Sequence, residues 1–236
     1  MPKKIILIAG PTASGKSKIA LSIAKKINGE IINADSMQVY KEFKYLSSRP
    51  LKNDLKKVKH HLYGFLSIKK YFSAGEWLKL VRKKIKVCLF KKKVPIIVGG
   101  TGLYFNAIIK GISRIPEINS KTRNKIRELN KEIGQKKFFE KLISIDPLVK
   151  NKILPTDTQR VIRAYEVKIV TKKSLYEWAK ETKSDFLDYD IRKIFINIPR
   201  EHLLKKISKR TDLMFEKKCI EEVIKFKKLK INKSLS

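Results

Sequence analysis

The sequence predicts an α/β protein in which a parallel sheet flanked by helices is interrupted by an all-helical insertion. Three observations carry this prediction. Short apolar runs, Ile5 to Ala9, Glu30 to Ala34 and Pro95 to Val98, alternate with helical periodicity, as expected of strands buried on both faces. Glycine-rich turns directly follow the first and third runs, at Gly10 to Gly15 and Gly99 to Gly102. From residue 113 to about residue 190, only helical patterns occur.

Taken in order, the first strand leads through a glycine turn into a helix from Lys16 to Ile27, with Ile19, Ala20, Ile23, Ala24 and Ile27 on one face. The second strand ends at Asp35. Residues 36–67 carry little periodicity and read as loop, with a helical piece around Asp54 to Lys59 and the pair His60-His61. Ser73 is an N-cap for a helix through Phe90, whose Trp77, Leu78, Val81, Ile85 and Leu89 form a core face. The third strand and its glycine turn precede a short helix, Leu103 to Ile109, stopped by Gly111. Helical patterns follow at Ser120 to Ile133, Gln135 to Ile145, Asp157 to Thr171 and Leu175 to Lys183. Strand character returns at Lys193 to Ile198. Arg200 to Leu229 is a basic helical stretch with a break near Thr211 or Cys219, before a polar tail, Ile231 to Ser236. The expected organisation is a first core segment (1–112), a helical insertion (113–190), and a return to the core with a basic C-terminal helix (191–236).

The 236 residues bury an ordinary core without staples. Only Cys88 and Cys219 are present, without CxxC or histidines at ligand spacing, which excludes a disulfide framework and a structural zinc site and points to a reducing, cytoplasmic compartment. Ile5 to Ala9 is too short for a signal-peptide core, and no apolar run approaches the roughly 20 residues of a membrane helix. Lys and Arg number 56 against 22 acids, a formal charge of +34. Such a charge favours a polyanionic partner through counterion release. A genome rich in A and T would also raise Lys, Ile and Asn, so charge alone leaves both readings open.

Gly10-Pro11-Thr12-Ala13-Ser14-Gly15-Lys16-Ser17 matches G-x-x-x-x-G-K-[ST], between a strand and a helix as that motif requires. The fold expected is therefore P-loop NTPase-like. In such a loop backbone N–H groups surround an anion, Lys16 adds a point charge and Ser17 can ligate Mg2+, with the helix dipole reinforcing the field. Asp35, just beyond the second strand, lies at the strand end that faces the same crevice. On these features alone a small-molecule kinase is the default, with Asp35 as a second magnesium carboxylate and Arg200 or Arg210 on a lid.

Three further phrases narrow the reading. GPTASGKS at Gly10 to Ser17, INADSMQVYK at Ile32 to Lys41 and VGGTGLYF at Val98 to Phe105 resemble successive signatures of the tRNA dimethylallyltransferase family. Asp146-Pro147 and the stretch Asp157 to Val167 are similar to that family's DP and ND-x-QR-x-x-RALEV segments. The matches run in order from Ile5 to about Met214.

The resemblance implies transfer of a dimethylallyl group from dimethylallyl diphosphate to the N6 amine of the adenosine 3′ to the anticodon. The tRNAs concerned would be those reading codons that begin with U, and diphosphate would be released. Thr12 to Ser17 would hold the donor's diphosphate with Mg2+, and Asp35 would be the general base. Ser36, Met37 and Gln38 would lie beside the target adenosine, and Thr101 would contact the base or its backbone. Arg123 and Gln159, Arg160, Val161, Ile162 and Arg163 would grip the tRNA anticodon stem. Arg200 and Arg210 are candidates for closing over the diphosphate. The expected protein is a monomer without a membrane association. His60-His61 corresponds to a family HH or HR pair, read equally well as a polar loop contact or a catalytic pair.

Two departures accompany the resemblance. Leu46-Ser47-Ser48-Arg49-Pro50 stands where the commoner pattern reads GTAKP, keeping a hydroxyl, a cation and the proline. The GYR-type motif and AKRQ-type basic run expected further on are not in this sequence. Prenyl transfer to free adenine nucleotides and an inactive tRNA-binding remnant are the alternatives these departures leave.

Overall fold

A computed structural model describes residues 3–216 and 218–229, which divide into two compact units, 1–109 with 186–236, and Lys110–Asp185. The first unit holds a five-stranded parallel sheet of order β3-β2-β4-β1-β5, formed by β1 (Lys4–Ala9), β2 (Gly29–Asn33), β3 (His60–His61), β4 (Val94–Gly99) and β5 (Asp190–Phe195). Ile6 pairs with Ile96 and Ile8 with Val98, while Ile31 also pairs with Ile96. These apolar positions are almost fully buried, and burying each such side chain contributes about 1.5–3 kcal/mol.

Six helices belong to this unit: α1 (Lys16–Lys26), α2 (Lys52–Lys57), α3 (Ala74–Phe90), α4 (Gly102–Ile109), α9 (Arg200–Glu216) and α10 (Cys219–Lys227). α3 begins with a capping box in which the Ser73 hydroxyl accepts from Glu76 N and the Glu76 carboxylate accepts from Ser73 N. Its Trp77, Val81 and Ile85 are fully buried, and Tyr104 of α4 stacks on Trp77 with ring centres 4.0 Å apart.

Three expectations change here. α1 buries Ala20 and Ala24, whereas Ile19 and Ile27 are 38% and 36% exposed. The helix packs so close that a Cβ on Gly29 would lie 3.3 Å from Ala24 Cα, so small residues line the contact. β3 carries no periodic signal because it has two residues. β5 starts at Asp190, where pairing with Lys4 begins, and not at Lys193 ahead of the apolar Ile194 and Phe195, because an edge strand tolerates exposed charge. The C-terminal helical stretch breaks near Cys219, one of the two expected places, and not at Thr211: α9 runs to Glu216, and Lys218, with a left-handed φ of 31°, precedes α10. The tail Ile231 to Ser236 lies outside the described residues.

The second unit is helical, with α5 (Ser120–Ile133), α6 (Gln135–Ile145), α7 (Thr158–Thr171) and α8 (Leu175–Lys180). Asn119 and Asp157 cap α5 and α7 through their side chains. Phe138, Leu142, Val149, Val161 and Ala164 form its fully buried core. Among the described residues, no helix is long and apolar enough to cross a membrane.

Candidate active site

The site is assembled where β1, β2 and β4 end. β1 runs into the P-loop, where Gly15 takes φ 87°, a conformation that a side chain would strain, and α1 starts at the next residue. Lys16 Nζ donates to Pro11 O at 2.6 Å, which folds the ammonium back over the loop. Ser14 Oγ is buried beneath the loop without a hydrogen-bond partner, a polar atom left available to an anion or its waters.

β2 and β4 converge so tightly that a Cβ on Gly99 would stand 2.0 Å from Ala34 O. This approach lets Thr101 N donate to Ala34 O at 3.2 Å, so the two strand ends carry Asp35 and Thr101 side by side. The Thr101 hydroxyl accepts from Ser36 N at 3.0 Å. Asn33 fixes the backbone around Asp35: its Oδ1 accepts from Asp35 N and its Nδ2 donates to Asp35 O, both at 2.9 Å. Asp35 Oδ1 in turn accepts from Met37 N at 2.9 Å and Gln38 N at 3.4 Å.

A cavity of about 460 Å³ opens over these groups, within the range of small-molecule sites. Thr12, Lys16, Ser17, Asp35 and Gln38 line it, and its wall carries the cations Lys18, Lys44, Arg49, Lys206 and Arg210. Arg210 Nη1 donates to Thr12 Oγ1 at 2.9 Å. Burial lowers the Lys16 pKa, with the Asp35 carboxylate opposing and Arg210 adding to the effect. Arg210 is likewise lowered by burial and supported by Asp35. Burial, with Asp35 contributing, raises the Tyr63 phenol and pushes Tyr104 up to about 12, so both stay protonated beside the carboxylate. The arrangement is a pocket walled by cations, with Asp35 the one carboxylate among its described lining residues.

Profiles of protein families give the same reading of the chain. One described as IPP transferase matches residues 38–235 and one described as isopentenyl transferase matches residues 3–70. The chain belongs to the IPP transferase family. The tRNA dimethylallyltransferase of Pelagibacter ubique (strain HTCC1062) is 57% identical over 99% of this chain and 74% of its own length. That of Rickettsia felis is 44% identical over 96% of this chain and 74% of its own. Among solved structures, the full-length tRNA isopentenylpyrophosphate transferase of Bacillus halodurans superposes with a TM-score of 0.66 at 30% identity, covering 98% of this chain and 72% of that one. A eukaryotic dimethylallyltransferase acting on tRNA superposes with a TM-score of 0.81 at 26% identity, over 94% of this chain and 55% of that one.

Three of the residues expected to meet substrate, Arg200, Val161 and Ile162, are placed otherwise. Arg200 is exposed at the start of α9 and does not line the cavity; ten helical residues set it about 15 Å along the axis from Arg210. Val161 is fully buried in the core of the helical unit, so its side chain cannot touch RNA, and Ile162 packs against the same core. Arg123 and Arg163 both reach the buried carboxylate of Glu166, at 3.7 and 3.2 Å. Gln159 and Arg160 remain on the surface, Arg160 paired with Asp157 at 3.2 Å.

His61 is structural. Its Nε2 lies 2.6 Å from Glu30 Oε2, and Cys88 Sγ donates to the same oxygen at 3.5 Å, all three being buried. Two ligands of one tetrahedral ion, each about 2.0–2.1 Å from it, stand about 3.3 Å apart, so the 2.6 Å contact is a hydrogen bond and not a shared metal. Burial keeps His61 below its ordinary pKa; burial would raise Glu30, but the His61 bond brings it down, leaving a neutral imidazole on an ionised carboxylate.

The sequence reading missed Asn33, Lys44, Arg49, Tyr63 and Lys206. Asn33 and Arg49 stood within or beside motif phrases; the others carry no local signal and meet only in the folded chain.

Proposed function

We propose that this chain transfers a dimethylallyl group from dimethylallyl diphosphate to the N6 amine of the adenosine 3′ to the anticodon of tRNA, releasing diphosphate. The observation that carries the reading is that the P-loop and Asp35 line one cationic cavity. Lys16, Arg210 and the P-loop N–H groups would hold the diphosphate, with Thr12 kept in place by Arg210. The N6 nitrogen attacks the allylic carbon, a C–N bond forms as the C–O bond to diphosphate breaks, and the amine's proton passes to Asp35. An exocyclic adenine amine is a poor nucleophile because its lone pair is delocalised, so a carboxylate accepting N–H is the help it needs. Lys16 and Arg210 would stabilise the charge gathering on the leaving group.

Ser17 offers a hard hydroxyl donor on the cavity wall next to Lys16, a placement that fits Mg2+ shared with the oxygens of a diphosphate. Mg2+, when bound, would offset the charge of the diphosphate. The reactive adenosine must leave its stack to enter the cavity, which costs a few kcal/mol and is least costly in a single-stranded loop. Ser36, Met37 and Gln38 would meet it, with Met37 52% exposed beside Asp35. Gln159 and Arg160 would contact the stem, within a chain whose charge of +34 suits a polyanion. A cytoplasmic monomer is the setting this reading requires.

The test incubates the chain with labelled dimethylallyl diphosphate, Mg2+ and unmodified tRNA, and in parallel with free AMP or with ATP and tRNA. The reading requires label in tRNA alone. Label in AMP, or phosphate transfer from ATP, would replace it with the nucleotide-prenylating or kinase reading.

A further inference from the structure

Outside the motifs, one acidic side chain is held by an unusual set of donors. Glu222, on α10, accepts from three successive backbone amides of a distant loop: Oε1 from Lys44 N at 2.8 Å and Tyr45 N at 2.9 Å, and Oε2 from Tyr45 N at 3.0 Å and Leu46 N at 3.1 Å. Consecutive N–H groups turned inward on one anion form a nest, and an ionised acceptor makes each bond stronger than a neutral one. The Phe43 and Phe226 rings meet beside it with centres 5.2 Å apart, and Cys219 at the start of α10 is buried.

The loop so held is a wall of the cavity, to which it supplies Lys44, Tyr45, Ser48 and Arg49. Arg49 Nη2 donates to Lys41 O at 3.1 Å, and its guanidinium lies where a Cβ on Gly64 would be. The loop is also tied to the reacting side of the pocket. Gln38 Nε2 donates to Ser47 O at 2.8 Å and Ser48 O at 3.1 Å, while Gln38 N donates to the Asp35 carboxylate. A continuous path of hydrogen bonds therefore runs from the α10 carboxylate, through the 44–48 loop and Gln38, to Asp35.

We infer that Glu222 is a positioning residue for the acceptor side of the site: it fixes the 44–48 loop and, through Gln38, the orientation of Asp35, without touching either substrate. The inference rests on the proposed prenyl transfer. It also separates two halves of the pocket, because none of the Glu222 contacts reaches the P-loop. Loss of Glu222 should therefore spare donor binding and impair use of tRNA.

The experiment compares the full chain with Glu222→Ala, Glu222→Gln and the neighbouring exposed Glu221→Ala. Three readouts are taken: hydrogen exchange at the amides of residues 44–46, affinity for dimethylallyl diphosphate, and kcat/KM for tRNA. In Glu222→Ala the three amides should exchange at least about 10-fold faster, as expected when a charged acceptor is lost. Donor affinity should stay within about 2-fold, and kcat/KM for tRNA should fall about 10-fold or more. Glu222→Gln keeps one acceptor oxygen and should fall between, and Glu221→Ala should match the native chain. Unchanged exchange would overturn the inference, as would faster exchange with undiminished kcat/KM, or an equal loss of donor affinity that marks general unfolding. If the native chain transfers no prenyl group at all, the proposed function fails separately, and exchange with donor affinity still decides whether Glu222 holds the loop independently of the P-loop.

Discussion

Arg210 Nη1 donates a hydrogen bond to Thr12 Oγ1 at 2.9 Å, joining α9 to the P-loop across 198 residues of sequence. The contact brings a guanidinium to the cavity wall that already carries Lys16, and Asp35 offsets part of that accumulated charge.

Removing that guanidinium should weaken the donor and leave the acceptor largely alone. Arg210→Ala is expected to raise the Kd for dimethylallyl diphosphate about 10- to 100-fold, the worth of a hydrogen bond to a charged group, about 1.5–3 kcal/mol. Arg210→Lys keeps the charge without the planar fork and should lie between. Arg200→Ala should change donor affinity by less than about 2-fold, since an exposed side chain away from the cavity contributes little. Isothermal titration with the donor checks all three.

Acid should destabilise the fold through the His61–Glu30 pair. The folded pKa of His61 lies below its ordinary 6.5, so below that value the unfolded chain binds more protons and stability falls as pH falls. Glu30 is also lowered, from 4.5, and adds a loss of the same sign at more acidic pH. Urea unfolding at pH 7.5, 6 and 5 should show a progressive loss in the native chain and a smaller one in His61→Asn.

Cys88 should be inert in the folded protein. Burial and the Glu30 carboxylate push its thiol up to about 12, so the reactive thiolate is scarce at neutral pH. Mass spectrometry after iodoacetamide should find Cys88 unmodified under native conditions and modified in denaturant.

Within the helical unit, packing and RNA contact should separate by residue. Val161→Ala should lower stability by roughly 1–3 kcal/mol through the cavity it leaves in the core. Arg160→Ala should leave stability nearly unchanged but weaken tRNA binding and reduce its salt slope by about 1. Thermal melts and binding across a salt series distinguish the two.

What could be read in the chain follows from how local each signal is. The P-loop, Asp35 and Thr101 stand directly after apolar strand runs, and parallel strands place such ends together, so their shared location was legible from spacing. Lys44 and Lys206 come from an aperiodic loop and a long helix, and nothing in their neighbours marks them as lining the cavity, whereas Arg49 stands in the stretch that resembles GTAKP, where it reads only as a retained cation. Val161 lies inside a motif phrase whose helical phase turns it to the core, so a stretch read as one contact surface divides between two faces. Ala20 and Ala24, not the larger Ile19 and Ile27, sit at the closest approach of α1 to the sheet, while Leu21 and Ile23 flank it partly buried. The strand at Asp190 escaped an apolar-run reading because edge pairing with β1, not burial, holds it.

The proposed reaction turns on Asp35 acting as the base beside a diphosphate held by the P-loop. The most direct measurement is single-turnover transfer of labelled dimethylallyl to tRNA by the native chain and by Asp35→Asn, which keeps an acceptor for Met37 N but cannot take a proton. With Asp35 as the base, the rate should be about 10²- to 10⁴-fold lower in the variant, with donor affinity unchanged. A variant rate within a few-fold of the native one would contradict it.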